Sequence, residues 1–198
     1  DGVHFEALAS PSEKLRQTVK GLVGTHPLAY IREIAVRRPG VRFESATHFD
    51  VFIGNATTLV DGGGGMGLGV EAKFTSDVDH NTTYSTHRNQ IIRNIEVGNS
   101  RCSPFVFLLV TPRAYRERCS RFYVYKMEEY LGDRGAEAMR RDALIDPGVE
   151  VSDQWKRHIG WLAWEDIVEE VFPNNQPRFQ HTDTDALAQF LRERRLMT

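Results

Sequence analysis

"GVEAKFTSD", residues 69–77, decides how the chain is read. Glu71 and Lys73 stand one residue apart inside a strand-like run that follows a glycine-rich stretch. Side chains alternate across a strand, so Glu71 and Lys73 share one face and Ala72 takes the other. On this reading Ala72 lies in the core and the charged pair lines an opening.

Upstream, "HFDVFIG" (48–54) is the best strand within an extended region over 41–54, with Asp50 at the head of Val51-Phe52-Ile53. "DGGGGMG" (61–67) joins it to the strand "GLGVEAKF" (67–74). The run lacks the GKT or GKS of a phosphate loop and no helix follows it, so a flexible hairpin tip is the better reading. Downstream, "TYSTHRNQIIRNIEV" (83–97) reads as a helix stopped by Gly98. "PFVFLLV" (104–110) is a continuous apolar run, as in a strand buried on both faces.

Toward the N-terminus, residues 10–37 read as helical, with Leu15, Val19, Leu22 and Val23 at helical spacing and a break at Gly24 and Pro27. Toward the C-terminus, Thr111-Pro112 suits a helix start. "HIGWLAW" (158–164) reads as a strand, "EDIVEEVF" (165–172) as a short helix, and 183–196 as a last helix. No repeat or interdomain linker is visible. The expectation is one α/β domain over residues 1–198, with its core in 10–112 and an elaboration over 113–198.

Bulk properties narrow the function. The formal net charge of -2 argues against a generally basic nucleic-acid coat, so a polyanion would meet a local patch. No apolar run approaches the ~20 residues of a membrane helix. Cys102 and Cys119 form no CxxC pair and fit thiols of a reducing, cytoplasmic compartment. The sequons at Asn55 and Asn81 read as chance matches. There is no GxSxG elbow, and neither cysteine has a suggestive histidine context, so a nucleophilic side chain is a poor candidate.

Two carboxylates on adjacent strands, Asp50 and Glu71, can share a hard cation such as Mg2+, which prefers oxygen ligands. The Ala72 carbonyl can add a further oxygen. Lys73 then lies within reach of a bound water or a phosphate. Read alone, an ExK triplet is by default a solvated strand face with a Glu–Lys pair. At 100° per residue, Ile91 and Ile95 lie on one side with Tyr84. Gln90, Arg93, Asn94 and His87 fall opposite, in an arc that either faces the site edge or is simply solvated. His48, two residues before Asp50, reads as a structural histidine. His80 and His87 lack a matched third zinc ligand. "PRAYRERCSRFYVYK" (112–126) interleaves Arg113, Arg116, Arg118, Arg121 and Lys126 with aromatics. That composition suits a phosphate-tracking surface, and equally a solvated helix face with an aromatic core side. Trp155, Trp161 and Trp164 read as core residues rather than stacking platforms.

The order helix, strand with Asp50, strand with ExK, helix and buried strand resembles the PD-(D/E)xK nuclease superfamily over residues 10–112. Phe49-Asp50 stands where that motif has Pro-Asp. The resemblance implies a restriction-endonuclease-like domain, a central mixed sheet flanked by helices. It implies Mg2+ or Mn2+ on Asp50 and Glu71, with Lys73 positioning or activating water. Gln90 would hold a water or the lysine, and Arg93 would meet a phosphate. The implied activity is metal-dependent phosphodiester hydrolysis, with DNA ahead of RNA as substrate, in restriction or defence. Asn94, Arg113 and Arg116 join Arg93 as candidate nucleic-acid contacts. A homodimer or a larger defence complex is left open, and no membrane partner is expected. Two rivals remain: a non-catalytic nucleic-acid or protein-binding module on the same fold, and an unrelated α/β domain.

Overall fold

A computed structural model describes residues 2–37, 43–54, 66–82, 84–118, 120–145 and 147–171, with residues 186, 189, 192 and 193. The glycine run over 61–65, Cys119, Asn55 and most of the expected 183–196 helix lie outside the described residues.

A strand that the sequence reading did not anticipate, β1 (Gly2–Ala9), comes first. Helices α1 (Glu13–Gly24) and α2 (Ala29–Arg37) follow, then strands β2 (Thr47–Gly54) and β3 (Gly67–Ala72). Next come α3 (Gln90–Asn99), β4 (Phe105–Thr111) and α4 (Arg113–Arg118). Helices α5 (Phe122–Leu131), α6 (Gly135–Asp142) and α7 (Gly148–Arg157) lead to β5 (Ile159–Ala163). The single turn α8 (Trp164–Asp166) then passes into a π-helical turn, Ile167–Val171.

The five strands form one sheet in the order β1-β2-β3-β4-β5. The first three are antiparallel neighbours, and β3, β4 and β5 run parallel. This is the expected mixed sheet flanked by helices. One sequence expectation about the helices needs correction. The helix after the ExK triplet begins at Gln90 rather than near residue 83. Asn89 caps it from an extended backbone, its side-chain oxygen accepting from the Ile92 amide at 3.0 Å. Tyr84 and His87 therefore precede the helix instead of riding on it. In β2, Phe49 and Phe52 are both buried although three residues apart. Strict alternation breaks at Asp50–Val51, opposite Glu6, whose backbone has φ 49°.

Glycines set how closely α3 lies on the sheet. A Cβ at Gly69 would stand 2.6 Å from the Phe49 ring, and one at Gly98 would stand 2.1 Å from the Phe105 ring. Phe49, Phe52 and Phe105 fill the space these glycines leave and pack on one another with ring centroids 5.5–6.1 Å apart. Each such fully buried side chain contributes about 1.5–3 kcal/mol over an exposed one. Ile91, Ile92 and Ile95 of α3 join this core with Phe107 and Leu109 of β4, and Tyr123 and Met127 of α5 extend it. Leu15, Val19 and Val23 of α1 form a second cluster with Ile31, Tyr84 and Val97.

Candidate functional site between β3 and α3

Along β3 the buried positions are Gly67, Gly69 and Glu71, while Leu68, Val70 and Ala72 are half-buried. Glu71 thus lies on the face that α3 covers and is only 4% exposed. This reverses the expectation that Ala72 sits in the core and the glutamate at an opening. The reason lies in the two small residues before it: Gly67 and Gly69 let the helix and aromatic rings settle on that face.

Helix α3 meets the carboxylate with two amides one turn apart. Gln90 Nε2 donates to Glu71 Oε1 at 2.9 Å, and Asn94 Nδ2 donates to Oε2 at 3.2 Å. Lys73 Nζ stands 2.7 Å from Oε1, with its side chain 13% exposed. The Lys73 amide donates to the Val110 carbonyl at 2.8 Å, fixing the lysine against β4. Gln90 is itself pinned: its side-chain oxygen accepts from the Asp79 amide at 3.2 Å, and its amide donates to the Asp79 carbonyl at 2.9 Å. The Thr47 hydroxyl donates to Asn94 Oδ1. The β2–β3 register, Val51 opposite Val70, brings Asp50 beside Glu71, and Asp50 Oδ2 accepts from the Ala72 amide at 2.5 Å.

Burial pushes the Glu71 carboxyl above its ordinary range, and the neighbouring Asp50 charge adds to this. The Lys73 ammonium and the Asn94 amide work against that rise without cancelling it. The donor chemistry suits a hard divalent ion. Asp50 and Glu71 offer carboxylate oxygens side by side, and among the described residues no donor is found on Asp50 Oδ1. No group of three or more His, Cys, Asp or Glu able to hold a metal occurs among the described residues. An ion here would complete its shell with water, backbone or substrate oxygens, as Mg2+ commonly does.

The expected nucleic-acid contacts fare differently. Asn94 is fully buried, so its amide serves Glu71 and cannot touch a polymer in solvent. Arg93 is turned away from the site: Nε donates to Glu44 at 2.7 Å, and Nη2 donates to the Ser45 carbonyl at 2.8 Å and the Ala46 carbonyl at 3.2 Å. Arg113 pairs with Asp166 at 2.7 Å and Glu169 at 3.0 Å. Arg116 donates to the Trp161 carbonyl at 2.6 Å and lies 4.7 Å over the Trp161 ring. Lys126 is held by Asp142 and Glu129. Trp155 is buried in the core as expected, whereas Trp164 stacks on Phe74 with centroids 4.7 Å apart.

The largest feature missed by sequence reading is a buried ionic cluster behind the site. Arg88, fully buried, pairs with Glu96 of α3 and with Glu44 at 3.3 Å. Glu44 also accepts from Arg93 and from the Tyr84 hydroxyl. Glu96 accepts the Leu144 and Ile145 amides at 3.1 and 3.2 Å. Burial pushes Glu44 up, but Arg88, Tyr84 and Arg93 hold it below its ordinary value. Thr47, Asp79 and this cluster together orient the helix that presents Gln90 and Asn94.

No family model matches the chain, and neither a curated protein nor a solved structure does.

Proposed function

We propose that this protein is a metal-dependent nuclease that hydrolyses phosphodiester bonds, with DNA ahead of RNA as substrate. The carrying observation is the buried Glu71 carboxylate, held by Lys73, Gln90 and Asn94 beside Asp50. Asp50 and Glu71 would hold Mg2+ or Mn2+, which lowers the pKa of a bound water and neutralises charge on a phosphoryl oxygen. Gln90 and Asn94 fix the Glu71 plane, so its oxygens need no reorganisation when substrate arrives. Lys73 places a compact ammonium beside the reacting phosphate, where it stabilises charge that develops in the transition state. A cytoplasmic setting follows from the thiol usage, and a part in restriction or defence rests on the resemblance. No helix among the described residues is long and apolar enough to cross a membrane.

The test incubates the purified chain with double-stranded DNA, single-stranded DNA and RNA, each with Mg2+, Mn2+ or EDTA. Cleavage should require metal and disappear in Asp50→Asn and Glu71→Gln variants that still fold. Lys73→Met should lower the single-turnover rate far more than substrate affinity. A folded protein that cuts no substrate with either metal refutes the nuclease reading. Nucleic-acid binding in that case would favour a non-catalytic module.

A further inference from the structure

The C-terminal ends of β3, β4 and β5 form one edge of the sheet, and Lys73 lies on it. Lys73 is bonded to Val110, and the next β4 residue, Thr111, pairs with Ala163 of β5. Arg113 opens α4 two residues later, and Arg116 follows one turn on. Trp164 continues from β5 and stacks on Phe74, the residue after Lys73. The edge therefore carries a lysine, two arginines and aromatic rings, a set suited to the backbone and bases of a nucleic-acid strand.

Both guanidiniums are engaged from within the chain. Arg113 Nη2 donates to Asp166 Oδ1 and Glu169 Oε2, and Arg116 Nη1 stands 3.8 Å from Asp166 Oδ2. These pairs differ in kind from the buried Arg88 cluster. The Arg113 side chain is 43% exposed and that of Glu169 is 49% exposed. A half-exposed ion pair is weak and exchanges readily for another anion. The acidic segment is anchored independently of these contacts. Glu165 is buried and accepts the Arg113 amide at 2.9 Å, while Asp166 Oδ2 accepts the Ala163 amide at 3.0 Å. Glu169, in the π-helical turn, has a free choice between Arg113 and solvent without loss of that anchor.

We infer that the Arg113–Arg116 edge is the strand-docking surface of the proposed nuclease and that Glu169, with Asp166, occupies it as an internal stand-in for phosphate. This rests on the nuclease reading for the identity of the partner. A phosphodiester arriving at the edge takes the Arg113 fork and releases Glu169 to water. The Glu169 carboxylate raises the threshold for binding, so a short or singly charged anion does not displace it and a polyanion does, while Asp166 stays on the Ala163 amide.

Binding measured without cleavage separates this idea from the catalytic one. A fluorescein-labelled 20-nucleotide DNA, single- or double-stranded, is titrated with the full chain in EDTA and followed by anisotropy. Glu169→Gln should tighten binding about two- to fivefold, the order expected when a half-exposed ion pair no longer competes. Arg113→Ala should weaken binding and lower the salt slope by about one phosphate contact. Glu169→Gln should then have no effect in the Arg113→Ala background. An equal gain in that background means a general field effect and overturns the proposal, as does unchanged or weaker binding by Glu169→Gln. Absence of DNA binding in every variant also overturns it. Metal-dependent cleavage without the Arg113–Glu169 coupling sinks this inference and leaves the nuclease standing. The coupling without cleavage does the reverse.

Discussion

Replacing Arg88 with Met should expose how far the site depends on the cluster behind it. Arg88 is fully buried between Glu44 and Glu96. Methionine keeps much of the volume but removes the cation. Glu44 retains Arg93 and the Tyr84 hydroxyl, whereas among the described residues Glu96 is left with only the Leu144 and Ile145 amides. A buried carboxylate without its cation escapes by taking a proton. At pH 7, protonating a carboxyl of ordinary pKa near 4.5 requires about 3.5 kcal/mol, which caps the loss close to the ~3–5 kcal/mol of other broken buried pairs. The loss should shrink by about 1.4 kcal/mol per pH unit on acidification, to roughly 1 kcal/mol at pH 5. The sign follows because a buried carboxylate left without its cation binds a proton in the folded variant before it does in the unfolded chain, so the variant's stability falls as pH rises. With about 2.1 cal/mol/K of unfolding entropy per residue over the chain, Tm should drop about 8 °C at pH 7 and about 2 °C at pH 5. Thermal melts of both proteins at the two pH values check this. A loss below about 1 kcal/mol at pH 7, or one independent of pH, refutes the assignment of Arg88 as the cation that keeps Glu96 charged.

The raised Glu71 carboxyl should make stability and activity move in opposite directions with pH. Its folded pKa exceeds its unfolded value, so its contribution to stability is greatest when protonated and declines as pH rises through that window. Cleavage at subsaturating metal should instead fail as pH falls through the same window, because a protonated Glu71 is a poor cation ligand; melts of the wild type and Glu71→Gln and single-turnover rates of the wild type check the pair, and an acid limb at the ordinary carboxylate pKa contradicts it. Gly98→Ala should destabilise by about 1–3 kcal/mol through overpacking against the Phe105 ring, and Phe105→Leu should recover part of the loss in the double variant. Urea unfolding with an unchanged m-value is the readout, and additive losses would place the clash elsewhere.

What the sequence carried was local, and what it withheld was long-range. Helix α3, β3 and β4 are legible because their apolar spacing and caps lie within a few residues of one another. The neighbourhood of Asp50, Glu71 and Lys73 is legible although the two carboxylates are 21 positions apart, since strand alternation and the antiparallel pairing of consecutive strands bring them together. The burial of Glu71 is not. It depends on Gly69 yielding space to Phe49 and Phe105, residues 20 and 36 positions away in the chain. Arg88 gave no sequence signal because its partner Glu44 lies 44 residues upstream, in a stretch read only as extended. Arg93 misled for a related reason: a helical wheel gives direction around an axis but not what stands there, and Glu44 stood there. The same contacts explain why the site has its form. A glutamate on an open strand face would relax among rotamers and gain little from Lys73. Glu71 beneath α3, with one amide on each oxygen, has its orientation decided before any ion or substrate arrives. That preorganisation requires α3 to be held rigidly, and the Arg88 cluster at its back supplies the restraint. The buried charges that look costly for stability are thus the means by which a strand carboxylate is kept in one position.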